Sequence, residues 1–281
     1  AAPLAVLRKW RRSAQLRRIV GETHTLSFLV CRIRGFDELT ASYTADPESL
    51  CRLVRRAATL MADAVHAHGG TLDRVFAGGF SAYFDEPDVH THRACECALA
   101  MLMASQGLGP KLPDGDPLRI GIGLDTGSAI LGDFGTEDQP YYAAVGRAAQ
   151  RADALEHLSQ TYGAVILAGH AVERGVEHSF PFLQVDHYVE GDGDAQPVWA
   201  MLLPPLSRSN PKFLALKSFH ARIFESLRAQ NWDEARNLVE QCRVLSAANS
   251  VLYDFYLRRI ADYQANPPRP DWSGVLIPAN S

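Results

Sequence analysis

The residues best suited to chemistry fall into a few short groups. His90-Thr91-His92 followed by Cys95-Glu96-Cys97 has the composition of a soft-metal cluster, imidazole and thiolate within one stretch. On a helix, however, His90 aligns with Cys97 and His92 with Cys95, on different faces, so four ligands cannot converge. These residues read as the core and surface of an ordinary helix. Gly121-Ile122-Gly123, with Gly127 further on, has glycines like a dinucleotide fingerprint, but their spacing is wrong and the stretch patterns as strands. Several arginines remain, among them Arg32, Arg34, Arg74 and Arg147. Guanidinium groups can hold phosphate without a metal. They can equally be satisfied by carboxylates such as Asp37, Asp73, Asp125 or Asp133.

The elements that would position such groups centre on residues 70–84, GTLDRVFAGGFSAYF. Thr71–Phe76 and Phe80–Phe84 alternate large apolar residues with smaller or polar ones, as half-buried strands do. The Gly78-Gly79 pair is expected at the centre of a two-residue hairpin loop, where positive φ is needed. Ahead of it, Asp46-Pro47 is a helix start. From there Leu50, Leu53, Val54, Ala57, Leu60, Met61, Ala64 and Val65 keep one apolar face up to Gly69-Gly70. Residues 25–33 read as a buried strand, then Arg34-Gly35-Phe36 and a polar loop. After the hairpin come a helix over 88–105 and strand-like stretches at 118–124, 128–132 and 141–145. A helix over 146–160, a strand at 164–168 and two strands within 182–202 follow. Strands and helices mix without strict βαβ alternation, which predicts an α+β fold with a largely antiparallel sheet.

Composition narrows the function classes. A 281-residue chain with 47% hydrophobic residues can bury a sizeable core, and a net charge of −4 gives no case for nucleic acid. Five scattered cysteines suit a reducing compartment better than a disulfide framework. No apolar run approaches the roughly 18–20 residues of a membrane span, and no secretory signal is visible. The first residue is not Met, so an upstream membrane or sensor segment is allowed for. Residues 4–20 place Leu4, Leu7, Trp10 and Ala14 at helical spacing among Arg8, Lys9, Arg11, Arg12, Arg17 and Arg18. This basic linker helix, 1–22, could lie beside acidic lipid, but the preferred reading is a solvated helix that packs on the next domain or on its twin.

Several segments, taken in order, resemble the catalytic domain of class III adenylate and guanylate cyclases over about residues 25–202. SFLVCRIRGFDEL is similar to the first strand and its Gly-Phe turn, and HAHGGTLDRVFAGGFSAYF to the first helix end and central hairpin. HTHRACECALAM looks like the second helix, LRIGIGLDTGSAILGDFG like the next strand pair, and YYAAVGRAAQRADALE like the strand and helix carrying transition-state groups. The resemblance implies the family's elaborated ferredoxin-like antiparallel sheet. It also implies joining of a nucleoside triphosphate's 3′-hydroxyl to its α-phosphorus with loss of pyrophosphate, assisted by two divalent cations.

Measured against that resemblance, the site residues depart. The two metal-binding aspartates of the family correspond to Arg32 and Gly78, and hard cations need oxygen ligands that neither supplies. A one-residue slip would turn a strand side chain to the opposite face and restores nothing. The base-selecting lysine corresponds to Arg74 and its companion to Ala143. The ribose-orienting asparagine corresponds to Gln150, and the transition-state arginine to Ala154. Arg151 lies on the same helix but off that face. The catalytic and metal positions are therefore degenerate. The same mapping puts Arg32, Arg34, Arg74 and Arg147 near the former triphosphate cleft as candidate ligands for a nucleotide or other anion.

After Pro204-Pro205 the pattern changes to helices over 212–265, resembling a single tetratricopeptide-type hairpin with a further helix at 249–264. One such repeat cannot bury its own face, so it is expected to dock on the preceding domain or on a partner, a reading preferred over peptide binding in this helical layer. The domains read as 1–22, 23–203 and 204–281. The expected function is a catalytically inactive, cytoplasmic regulatory module of cyclic-nucleotide-type signalling. It would form a homodimer or pair with a related cyclase-like chain, along the hairpin and the 146–160 helix, with no cofactor. The alternatives are a weakly active cyclase, which alone would call for Mg²⁺ or Mn²⁺, and a structural scaffold.

Overall fold

A computed structural model describes residues 21–107, 117–136, 139–188, 195–204, 206–246, 250–269, 272, 274 and 275. Residues 1–20, most of the predicted linker helix, lie outside the described residues. Among the described residues eight strands and eight helices alternate irregularly, an α+β fold as the sequence predicts. No helix among the described residues is long and apolar enough to cross a membrane. The chain forms two compact units, residues 1–120 with 126–150, and residues 121–125 with 151–281.

In the first unit, β1 (Glu22–Ile33), β2 (Thr71–Phe76) and β3 (Gly79–Phe84) are neighbours in the order β2-β3-β1, both pairs antiparallel. Residues after Gly35, read from sequence as a polar loop, form a short helix, α1 (Phe36–Ser42). The long helix α2 (Pro47–Ala67) starts where Asp46 and Pro47 dictate, with the Asp46 carboxylate accepting from Ser49 N at 3.1 Å. Hydrogen bonding from the Ser49 side chain first and from its backbone N second holds the Asp46 carboxyl below its ordinary value. Ala57, Met61 and Val65 bury its apolar face. Helix α3 (His90–Gly107) follows the hairpin. The two expected strands at 118–124 and 128–132 are one strand, β4 (Ile120–Asp133), because Asp125-Thr126 continues the extended backbone instead of turning. The far end of β4 pairs antiparallel with β5 (Tyr142–Val145), from Ile130↔Val145 to Asp133↔Tyr142.

In the second unit, residues 122–124 of β4 pair in parallel with β6 (Ile166–Gly169). Strand β8 (Gln196–Met201) runs antiparallel to both β6 and β7 (Phe182–Tyr188), giving β4-β6-β8-β7. Helix α4 (Arg147–Thr161) begins in the first unit and continues in the second. It packs so close to β4 that a Cβ on Gly123 would lie 1.9 Å from Ala152 O, which is why only glycine fits there. The short helix α5 (His170–Val176) follows β6, where sequence periodicity gave no signal. Helices α6 (Pro211–Arg228), α7 (Trp232–Leu245) and α8 (Ser250–Ala265) form the predicted helical layer. Asn210 and Asn231 cap the first two, accepting from Lys212 N at 2.9 Å and Glu234 N at 3.3 Å.

The helical layer docks, as its unpaired apolar face requires. Leu216, Ile223, Phe224, Leu238, Tyr253 and Tyr256 share one buried core with Leu183, Val185 and Val198 of β7 and β8. Polar groups within that core are paired. Tyr256 Oη donates to Val185 O at 2.5 Å, Tyr162 Oη to the Asp186 carboxylate, and His187 N to Asp186 Oδ1 at 2.7 Å. A bulge between Gln184 and Asp186 interrupts the β7–β8 register at this point.

Candidate functional site

The candidate site builds up from the β1–β3 pairing in the first unit. Arg32 stands opposite Gly79 on β3, and Phe76 of β2 stands on Gly79's other side. That cross-strand row puts the Arg32 guanidinium carbon 4.8 Å from the Phe76 ring centroid, a cation–π contact. Ile33 N donates to Gly78 O at 2.7 Å, so the end of β1 meets the hairpin turn directly. The two-residue loop is Ala77-Gly78 rather than Gly78-Gly79, since Phe76 pairs with Gly79. Gly78 alone carries the positive φ, 76°. A Cβ on it would meet the Phe36 ring at 2.6 Å. Gly79 is glycine for another reason: a Cβ there would lie 2.3 Å from Cys31 O.

Arg34 lies just past β1, where its Nε donates to Ile120 O at 3.1 Å and its backbone N to Arg119 O at 2.9 Å. Arg74 sits two rows along from Arg32, opposite Ser81, with a half-exposed side chain whose Nε is 3.3 Å from Asp73 Oδ2. Asp73 is a buried carboxylate, 3% exposed, that also accepts from Ser81 Oγ at 3.2 Å and from Ala144 N at 3.1 Å. It ties β2 to β3 and β5. Ala143 is buried beside it, whereas Arg147 and Gln150, in the first turn of α4, are exposed. Tyr141 lies close enough to feel both Asp73 and Arg74, and its phenol is pushed up by burial first and by the Asp73 charge second.

Of the acidic residues that the sequence offered to the arginines, Asp73 pairs with Arg74. Asp133 Oδ1 accepts from Gly135 N and Tyr141 N at 2.9 and 2.8 Å, closing the loop between β4 and β5. Asp125, in the second unit, is buried and pairs with Arg151 Nε. Ala154, one turn further along α4, is half-buried. The Asp125–Arg151 pair escaped sequence reading because its members are 26 residues apart.

The histidine and cysteine group lies elsewhere in the first unit. Cys95 and Cys97 are buried within α3, and burial pushes the Cys97 thiol up to about 12. His90 Nδ1 faces Ser27 Oγ at 2.8 Å, and His92 Nδ1 faces Glu96 at 3.5 Å on the exposed side. Among the described residues no cluster of His, Cys, Asp or Glu could hold a metal ion.

No protein-family model matches the chain. Among curated proteins it is similar to adenylate cyclase 1 of Rhizobium meliloti (strain 1021), 29% identical over 145 residues, which are 49% of this chain and 21% of that protein. It is similar to the adenylate cyclase of Anabaena cylindrica, 26% identical over 183 residues, 61% of this chain and 35% of that one. The chain therefore spans about a fifth to a third of the length of these relatives. Among solved structures, the adenylyl cyclase CyaB from P. aeruginosa superposes with a TM-score of 0.56 at 21% identity, covering 68% of this chain and 98% of that one.

Proposed function

The chain has the fold of class III nucleotide cyclase catalytic domains, and from that premise we propose that it is a catalytically inactive, regulatory member of the cyclase group. In this reading it works as a dimerising module in intracellular cyclic-nucleotide-type signalling. The observation that carries the reading is the pair Arg32 and Gly78. These adjoin at the β1–hairpin junction, where Ile33 N meets Gly78 O at 2.7 Å, and they correspond to the two metal-binding aspartates of the family. A guanidinium is an acceptor-free cation and a glycine has no side chain, so these positions do not fit a pair of divalent cations. No catalytic step is derived through metal.

The transition-state positions support the same reading. Gln150 and Ala154 supply no cation, and the neighbouring Arg151 is committed to the buried Asp125. Loss of preorganised charge of this kind costs orders of magnitude in rate. What this corner offers instead is positive charge. Arg74 and Arg147 reach water, and with Arg32 and Arg34 they form the candidate site for a nucleotide or other anion held without metal. Dimer contacts along the hairpin and α4 follow from the family resemblance, with a second copy or a related cyclase-like chain as partner.

A cyclase assay with ATP and GTP in Mg²⁺ and in Mn²⁺ tests the reading. The expected result is no cyclic nucleotide above a protein-free control. Product that disappears in Arg74→Ala would overturn inactivity and favour a weak cyclase, the activity named in the curated relatives. Calorimetric titration with ATP and GTP in EDTA tests the anion site. Heat that is lost in the Arg74→Ala, Arg147→Ala double variant is expected, and no heat at millimolar nucleotide removes the site.

A further inference from the structure

The far end of β4 and β5 make a two-stranded ribbon in the first unit, and one of its faces is apolar and exposed. On that face Ile130 stands opposite Val145, and two residues along Gly132 stands opposite Ala143. The next row is Phe134 with Tyr141, joined by Phe134 N donating to Tyr141 O at 2.8 Å. Ile130, Val145, Phe134 and Tyr141 are 47, 48, 48 and 44% exposed, whereas the small middle pair is buried. Two rows of large apolar side chains around a small pair form a continuous patch. Patches of a few hundred Å² with this character mark interaction sites.

The backbone of Gly21 crosses this face at its middle row. A Cβ on Gly132 would lie 3.3 Å from Gly21 Cα and 3.8 Å from Gly21 N, with Phe134 Cε2 at 3.7 Å. A Cβ on Gly21 would in turn lie 3.3 Å from Ile130 Cγ2. The φ of 139° at Gly21 is one that L side chains rarely adopt, so glycine is what permits the crossing. Gly21 N carries the bond to residue 20. The preceding chain therefore joins the domain over the apolar patch itself.

The sequence of that preceding chain supplies what the patch lacks. Residues 4–20 carry Leu4, Leu7, Trp10 and Ala14 at helical spacing among six basic residues, and such a stripe needs an apolar surface to cover it. A helix of this length would reach about 25 Å, ample for the roughly 13 Å between the Ile130 and Phe134 rows. Direct tethering through Gly21 gives the segment a high effective concentration at the patch. A second copy has no such advantage, and four half-exposed side chains offer well under the roughly 800 Å² per partner that a stable interface buries.

We infer that the exposed face of the β4–β5 ribbon is the docking site for residues 4–20 of the same chain, with Leu4, Leu7 and Trp10 against Ile130, Phe134, Tyr141 and Val145. A pull on the segment is then felt at β5, which Asp73 ties to the hairpin through Ala144 N.

Photo-crosslinking in the full chain tests the assignment. With p-benzoylphenylalanine in place of Val145, irradiation should give an adduct of single-chain mass, mapped by mass spectrometry to residues 4–20. Leu7→Asp with Trp10→Asp in the same background should lose it. If circular dichroism shows that the residue-145 replacement does not fold, the same probe at Tyr141 takes its place with the same expectation. Adducts that are absent, that map to other segments, or that persist unchanged in the double variant overturn the docking. Adducts joining heavy to light chains in an isotopically mixed sample show a second copy on the ribbon, which also overturns it.

Discussion

The corner formed by β1 and the β2–β3 turn and the core beneath α6–α8 handle polar groups in opposite ways. At the corner, Arg74 reaches water and Arg32 rests on an aromatic ring. In the core, Asp186, Tyr162, Tyr256 and His220 are buried, and each hydrogen-bonds to a neighbour. Solvated charges contribute little to stability, so the residues at a cleft can change identity while the fold persists. Buried polar networks cannot drift in this way, since removing one member leaves its partners unsatisfied. A domain can therefore lose the side chains of its chemistry and keep the frame that once held them.

Phe224→Ala should separate the two regions most sharply. Phe224 is 3% exposed and packs edge-on against His187 and Tyr256, so the variant should lose about 3–5 kcal/mol in urea unfolding. Anion binding should be untouched if the variant stays folded, and an equal loss of both would erase the contrast. Gly123→Ala comes next. Its Cβ would meet backbone at Ala152 O and Glu156 N, 1.9 and 2.5 Å away, so helix α4 must shift. Overpacking of this kind costs about 1–3 kcal/mol, and a variant as stable as wild type would show that α4 yields freely.

The His220 ring sharpens the comparison through pH. Burial lowers its pKa from 6.5 to about 4, partly offset by the bond to Gln184 O. The unfolded chain then binds the proton more readily, so this contribution is fully present above pH 6.5 and is lost as pH falls toward 4. Urea midpoints measured between pH 7 and pH 4 should fall, and fall less in His220→Phe. A slope unchanged by that substitution would remove His220 from the account. The smallest effect belongs to Arg74→Ala, whose side chain is 56% exposed. Its stability should stay within about 0.5 kcal/mol of wild type while metal-free nucleotide binding weakens. A larger loss would show that the Asp73–Arg74 contact stabilises the hairpin.

Much of the frame was legible locally. Asp46-Pro47 starts α2, the alternation of residues 71–84 marks the hairpin, and the change of pattern after Pro204-Pro205 marks the helical layer. Each of these depends on neighbours within one or two turns or one tight loop. The turn was read one residue late, because two adjacent glycines look alike in sequence. Only pairing distinguishes Gly78, which turns, from Gly79, which makes room for Cys31 O. β4 was read as two strands because Asp125-Thr126-Gly127 has turn composition, whereas Asp125 is neutralised by Arg151 and stays within the strand.

By itself the sequence determined the α+β class, the order of most of its elements and the absence of carboxylates from the two positions where the family resemblance requires them. These follow from periodicity and residue identity, properties that a linear chain carries. Tertiary structure alone decided that Asp73 ties three strands, that Arg151 belongs to Asp125, and that the Gln230 amide bonds to Arg269 O. Such contacts join residues up to 71 positions apart. Their partners are selected by which surfaces the packed strands and helices bring within hydrogen-bonding reach, and local propensity carries no trace of that choice.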